Sequence, residues 1–412
     1  MKFKTFELEN GLKVVVHEDK STKIAVLNVL YDVGARDEDP EKTGFAHLFE
    51  HLMFGGSKNI PLYDEPLQKV GGENNAFTSP DLTNYYISIP SNNLETAFWL
   101  ESDRMLSLSF DPKVLEVQRK VVIEEFKQRY LNQPYGDAWL KLRPLAYQKH
   151  PYNWATIGKE ISHIEDATME DVKAFFYKFY VPNNAVLVVA GDVDFEEVKK
   201  LTEKWFGPIP KGVALNRNLP VEPKQEAKRS ERVEANVPVN SIYKVFHMPK
   251  RLSPGYYHTD LLSDILGGGR SSKLHETLVK EKRYMSSANA YITGSIDPGL
   301  LVINGKLNKD ISYEQVESEI DKIVAQLQTE LISDFELEKI KNLAESSYIF
   351  GEMELLNKAY SLAYFTLLGD TNLINEEVDK IRSVTSQQIM ESAQEVLRPE
   401  NSSTLYYNAK PV

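Results

Sequence analysis

The sequence contains no cysteine. Disulfides, thiolate metal sites and cysteine nucleophiles are excluded, and any metal must be held by nitrogen and oxygen ligands. It also lacks an uninterrupted apolar run of about eighteen residues, the length a membrane-spanning helix needs. Met1-Lys2-Phe3-Lys4-Thr5 passes straight into a strand pattern and has no apolar core of a secretory signal. As given, the chain is expected in the cytoplasm, or in the periplasm if a signal peptide has been trimmed. Positive charge is in deficit: 48 Lys and Arg face 60 Asp and Glu, for a net charge of -12. Bulk electrostatics therefore argue against a nucleic-acid partner. What remains is a globular composition, 42% apolar and 26% charged, and not a disordered one. At 412 residues the chain exceeds one ordinary core, so two or more domains are expected.

The stretch that carries chemistry is His47-Leu48-Phe49-Glu50-His51. On a helix, residues four apart share a face, so the two imidazoles lie together with Glu50 on the same side. Two imidazoles would bind a metal, and the carboxylate would take a proton from the attacking water. The order is the reverse of the commoner His-Glu-x-x-His and is the inverzincin signature. Thr43 or Gly44 opens this helix and Gly55-Gly56-Ser57 closes it.

Such a site needs a third protein ligand, and a carboxylate on a neighbouring helix is the natural supplier. Pro112 to about Leu131 reads as a charged helix carrying Glu124 and Glu125. Val121, Val122 and Ile123 hold that turn against a core, so at least one of the two glutamates is expected to point inward. Glu73, Glu116 and Asp137 stay open as alternatives. Elsewhere in this half, Ile24 to Val33 reads as a central strand and Thr83 to Ile89 as another. Leu94 to Leu106 reads as a helix whose Glu101, Asp103 and Arg104 form its solvated side. His17, His150 and His163 read as structural or surface residues.

Pro208 to about Val233 has little apolar periodicity and four prolines, and is the best inter-domain linker. The division expected is a metal-bearing domain over 1–211, a linker over 212–235 and a second domain over 236–412. An internal repeat supports duplication. Ile164-Glu165-Asp166-Ala167-Thr168 matches Ile381-Arg382-Ser383-Val384-Thr385, and Pro182-Asn183-Asn184 matches Pro399-Glu400-Asn401, both at an offset of 217. The same offset carries the histidine helix onto Asp264-Ile265-Leu266-Gly267-Gly268, which has no metal triad. Gly267-Gly268-Gly269-Arg270-Ser271-Ser272 follows a helix and lacks the Gly-Lys-Ser/Thr order, so nucleotide binding is rejected.

With these residues in place, the sequence resembles the pitrilysin-type (M16) zinc metallopeptidases, the family of the mitochondrial processing peptidase and its bacterial relatives. The resemblance spans most of the chain. It rests on Gly44, His47 to His51, Phe54-Gly55, Gly72, Asn75-Ala76-Phe77-Thr78 and Thr83-Asn84-Tyr85-Tyr86. It continues through Arg119 to Glu125, His150-Pro151-Tyr152, Gly158, Pro182-Asn183-Asn184, Gly191-Asp192 and Phe206 to Pro210. The resemblance implies an α+β fold of two duplicated α/β sandwich domains, each a largely antiparallel sheet covered by helices. It implies a zinc endopeptidase acting on peptides or unfolded segments, with a non-catalytic assembly subunit as the alternative. In the family's phase the third ligand is Glu125, 74 residues after His51. The segment Asn75-Ala76-Phe77 would pair with substrate backbone as an edge strand.

Two positions depart from the family pattern. Gln118 stands where relatives carry a glutamate, seven residues before the third ligand. In the second half, the arginine and tyrosine that hold substrate correspond to Lys280 and Ser287. Lys280 could keep part of the charge, whereas Ser287 cannot replace a phenol. Relatives of this length work as dimers, so this chain is expected to pair, possibly with a same-fold companion that lacks the histidines and supplies the missing residues.

Overall fold

The computed structural model describes residues 1–410. Eleven strands form two sheets. The first holds β1 (Lys4–Glu7), β2 (Lys13–Glu18), β3 (Ile24–Tyr31), β4 (Glu73–Thr78), β5 (Thr83–Pro90) and β6 (Ala185–Gly191), in the order β1-β2-β6-β3-β5-β4. The second holds β7 (Arg229–Ala235), β8 (Ser241–His247), β9 (Met285–Ile292), β10 (Leu300–Leu307) and β11 (Ser402–Ala409), in the order β7-β11-β8-β10-β9. Each sheet has one parallel pair, β2 with β6 and β7 with β11, and is otherwise antiparallel. The expected α+β duplication is present. Among the described residues, no helix is long and apolar enough to cross a membrane.

The physical reason for this layering is readable in β3 and β6. Both are nearly continuous apolar runs, buried along almost their whole length, as strands covered on both faces must be. The repeat extends to local detail. Thr168 caps the Met169–Phe179 helix and Thr385 caps the Ser386–Val396 helix, each through a reciprocal capping box. A 3₁₀ turn follows in both copies, Pro182–Asn184 and Pro399–Asn401, and leads into β6 and β11.

The chain forms two compact units, and neither is continuous in sequence. One comprises Met1–Phe126, Trp154–Leu219 and Ile349–Glu377; the other Lys127–Asn153, Pro220–Tyr348 and Val378–Val412. A single division between 211 and 236 therefore does not trace these units. The helix Ala138–Ala146 buries Ala138, Leu142 and Ala146 against Val245, Val302 and Leu405 of the second sheet. Its counterpart at the 217-residue offset, Leu355–Leu367, buries Ala359 and Ala363 against Val26, Val186 and Val188 of the first. Each half of the sequence thus donates the equivalent helix to the other unit. An apolar stripe at helical spacing shows that a helix is buried, but not which sheet covers it. The expected linker is also partly ordered: its last residues form β7, and Gln225 is buried, donating to Ser402 O at 2.7 Å.

Two smaller readings change. His17 is buried, not superficial, with Nδ1 2.7 Å from Lys2 O. The Leu94–Leu106 helix does not keep its charges in solvent: Glu101, Asp103 and Arg104 are all buried.

Leu362 is fully buried in the donated helix. Leu362→Ala should lower unfolding free energy by about 2–5 kcal/mol. Hydrogen exchange should place the loss on β3 and β6, more than a hundred residues away in sequence. Protection lost only near residue 362, or mainly on β8 and β11, would contradict the exchange.

Candidate metal centre

The histidine helix spans Phe45–Leu52. Phe45, Ala46, Leu48, Phe49 and Leu52 form its buried face, and Phe49 stacks on Phe175 and Tyr180 with centroids 4.9 and 5.2 Å apart. His47 and His51 occupy the opposite face, with side chains 14% and 23% exposed. Their rings meet edge to face at 4.9 Å. The chain enters through Gly44 at φ 88°, a left-handed conformation that glycine adopts without steric cost. A Cβ there would also lie 2.7 Å from Ile157 O.

Gly44 has no side chain to cap the helix, and the structure supplies one from outside. Glu38 is buried and accepts the N–H of Gly44 at 2.9 Å, of Ala46 at 2.8 Å and of the Trp154 indole at 3.0 Å. Burial pushes its carboxyl up to about 8, against the pull of these donors, and the neighbouring Asp37 charge adds to the rise. Nothing in the sequence flagged Glu38. It lies six residues before Gly44 in a segment that reads as a charged turn, outside any local capping pattern.

The helix Pro112–Phe126 packs beside the histidine helix and delivers Glu125. Glu125 Oε2 lies 3.5 Å from His47 Nε2 and 3.4 Å from His51 Nε2. Ligand bonds of about 2.0–2.1 Å in a tetrahedron place donor atoms about 3.3 Å apart, so these two separations suit zinc, and the three ligand atoms all lie within 4.8 Å of one another. Among the described residues, these three form the group spaced to hold a metal. The alternatives fall away. Glu124 and Glu73 are exposed, Glu116 pairs with Arg119 and Lys120, and Asp137 belongs to the other unit, where it accepts from the Tyr407 hydroxyl. Of the three apolar residues expected to hold the Glu125 turn, Val122 is buried while Val121 is 44% exposed. Gln118 is half-buried two turns earlier on the same helix.

Glu50 lies between the two histidines in sequence, and its Oε2 accepts the Thr78 hydroxyl at 2.6 Å. Thr78 ends β4, the edge of the first sheet, which pairs only with β5 within that sheet. Asn75, Ala76 and Phe77 therefore lie on a strand whose outer edge carries no further strand. Phe77 is 37% exposed and rests edge-on against Tyr360 at 5.3 Å.

Below this region Arg104 is fully buried. It makes two bonds to Glu101, at 2.7 and 2.5 Å. Its guanidinium lies 4.4 Å from the Tyr85 ring, 4.6 Å from Tyr63 and 5.4 Å from Phe54. The Tyr63 hydroxyl donates to Glu101 at 2.7 Å. A paired carboxylate and three aromatic faces make up for the water these charges give up. Burial raises the phenols of Tyr63 and Tyr85 well above their ordinary range.

Lys280 and Ser287 lie in the second unit. Lys280 is in a π-helical turn, His275–Glu281, with its ammonium 2.5 Å from Glu276. Ser287 is on β9. The repeat counterpart of the histidine helix, Gly255–Gly267, is closed to chemistry. A Cβ at Gly267, the position equivalent to Glu50, would lie 1.8 Å from Ala290 N of β9. Asp264, equivalent to His47, stands without its set, and burial pushes its carboxyl up to about 6.

Known proteins with related sequences identify the family. The family model described as insulinase, peptidase family M16, matches residues 13–158, and the model of the M16 inactive domain matches residues 166–344. Zinc protease PqqE of Helicobacter pylori is 29% identical over 411 residues, covering 98% of this chain and 92% of that one. The beta subunit of the mitochondrial-processing peptidase of Saccharomyces cerevisiae is 26% identical over 355 residues, covering 82% and 76%. The crystal structure of a protease from Helicobacter pylori superposes with a TM-score of 0.92 at 30% identity, covering all of both chains.

The raised Glu38 carboxyl predicts a pH dependence. The folded protein keeps this proton up to about pH 8, while an unfolded glutamate loses it near 4.5. The stability it contributes is complete below about pH 4.5 and is lost as pH rises through 8. Denaturant titrations of the metal-free protein between pH 5 and 8 should show a downward slope of up to about 1.4 kcal/mol per pH unit from this group. Glu38→Gln should flatten it, and an unchanged slope would place the proton elsewhere.

Proposed function

The chain belongs to the M16 peptidase family, and from that premise we propose that it is a zinc-dependent endopeptidase cutting extended or unfolded peptide segments. His47, His51 and Glu125 are its metal ligands and Glu50 is its general base. The observation that carries this reading is the His47–His51–Glu125 triangle, whose 3.4 and 3.5 Å separations suit tetrahedral zinc. Zinc, when bound, polarises the scissile carbonyl and makes the attacking water more acidic. The chain's own residues do the rest. Glu50 takes the proton from that water and returns it to the leaving amine. Thr78 holds the Glu50 carboxylate from the end of β4, so the base is oriented by the strand that receives substrate. Asn75, Ala76 and Phe77 offer that strand's open edge to an extended backbone, the usual geometry of strand addition.

The reading extends to a partner. The arginine and tyrosine that relatives use to hold substrate are Lys280 and Ser287 here, and Lys280 is already paired with Glu276. Tyr284 packs against the core of the second unit, and Arg283 sits exposed at φ 58°. We therefore read the chain as the metal-bearing member of a heterodimer, with a same-fold companion supplying the missing pair.

Glu50→Gln should leave stoichiometric zinc bound and abolish turnover of a quenched peptide; full activity would refute the assignment of the base. Thr78→Val should retain zinc and lower kcat about tenfold or more, the worth of a hydrogen bond to a charged group. For the companion, a peptidase assay of the chain alone and with the same-fold protein encoded beside it decides. Brisk hydrolysis by the isolated chain, with no gain on addition, would rule out an obligate pair.

A further inference from the structure

The first turn of any helix has N–H groups with no acceptor inside the helix. His47 is the third residue of Phe45–Leu52 and lies in that turn, so its backbone is held only as well as the turn is capped. Gly44 brings no side chain, and Thr43 is turned away. The Thr43 hydroxyl lies 2.8 Å from His163 Nδ1 and accepts the Lys159 N–H at 2.8 Å. The Gly44 and Ala46 donors, on either side of Phe45, go to the two oxygens of one carboxyl group, Glu38 Oε2 and Oε1.

That carboxyl group is itself immobilised. The Trp154 indole donates to Glu38 Oε2 and to Ala35 O, both at 3.0 Å, tying the acid to the 3₁₀ turn Ala35–Asp37. The turn is anchored in its own right. Arg217 reaches Asp37 at 2.6 Å and Asp32 at 2.8 Å, and Arg36 reaches Asp81 at 3.0 Å. A chain of short contacts therefore runs from this loop, through Glu38, to the amide immediately before His47.

We propose that Glu38 is a positioning residue of the metal centre: it caps the histidine helix from outside and fixes the backbone of His47, so that the His47–His51–Glu125 triangle exists before metal binds. The proposal rests on the function proposed above. Glu38 touches neither metal nor substrate. Its role is the one that hydrogen-bonded supports of metal ligands generally play, where loss costs about 10–100-fold in affinity.

The test uses the full-length protein, with zinc affinity measured by chelator competition and hydrogen exchange measured on the metal-free form. Glu38→Gln keeps one acceptor oxygen and Glu38→Ala keeps none. The expected zinc Kd rises in the order wild type, Gln, Ala, reaching about 10–100-fold for Ala. Trp154→Phe, which frees the Glu38 carboxyl group without removing it, should raise Kd by a smaller factor and serves if Glu38→Ala does not fold. Exchange protection at Gly44 and Ala46 should fall in the same order. Leu362→Ala provides the contrast: a general loss of stability, with zinc Kd within about twofold of wild type once folded. Folded Glu38 variants that bind zinc as tightly as wild type, with the Ala46 amide still protected, would overturn the proposal. If the wild-type protein binds no zinc at all, the proposed function falls, and the Gly44 and Ala46 amides alone then decide whether Glu38 caps the helix.

Discussion

A helix of eight residues is little more than two turns, below the length at which a helix holds itself together in water. The candidate metal centre is built on such a helix. Its geometry has to be imposed from every side. The aromatic stack of Phe49 with Phe175 and Tyr180 fixes which face is buried. The Glu38 carboxyl group fixes where the helix begins, and the Gly55-Gly56 turn fixes where it ends. Glu125 comes from the adjacent helix, and Thr78 comes from the sheet edge. Each support belongs to a different element, so the arrangement depends on the packed unit and not on the motif alone. This is the general requirement for sites that must be held to within a fraction of an ångström.

The duplicated fold shows how little separates a copy with chemistry from one without. Both sheets have the same sequence of parallel and antiparallel neighbours, except for the extra strand β1. Both place a helix between equivalent strands, β3 and β4 in one unit, β8 and β9 in the other. In the first, the helix stands far enough from the edge strand for a glutamate to meet a threonine hydroxyl. In the second, the helix lies so close that Gly267 leaves no room for a Cβ. The substitution of histidines by Asp264 and Gly268 goes with that closer packing.

Much of this was legible in the residues. The histidine helix, the central strands and the 217-residue repeat all have short-range signals that tertiary packing does not override. Glu125 needed more, since Glu124 and Glu125 differ by one helical step, and only family phase or the fold distinguishes them. Charges were the weak point. Glu101, Asp103 and Arg104 look alike in sequence whether they face water or are buried, because the Phe54, Tyr63 and Tyr85 rings around Arg104 and the Ser57 and Asn59 donors to Asp103 lie outside their helix. Glu38 was invisible for the same reason: a cap supplied from six residues upstream has no fixed spacing. The helices Ala138–Ala146 and Leu355–Leu367 show the same limit, since periodicity does not record which sheet a helix covers.

That exchange of helices has a consequence for how the protein is made. Ribosomes deliver the chain from its N-terminus, and domains ordinarily fold as they emerge. Here the histidines, Glu125 and all six strands of the first sheet are synthesised before residue 192, yet one face of that sheet stays bare until Leu355–Leu367 arrives. Val26, Val186 and Val188 have no cover through the synthesis of more than a hundred further residues. The unit that carries the histidines cannot be completed as an independent nascent domain. Its maturation waits for residues 355–367, so a chain that stopped before them would leave an unfinished sheet.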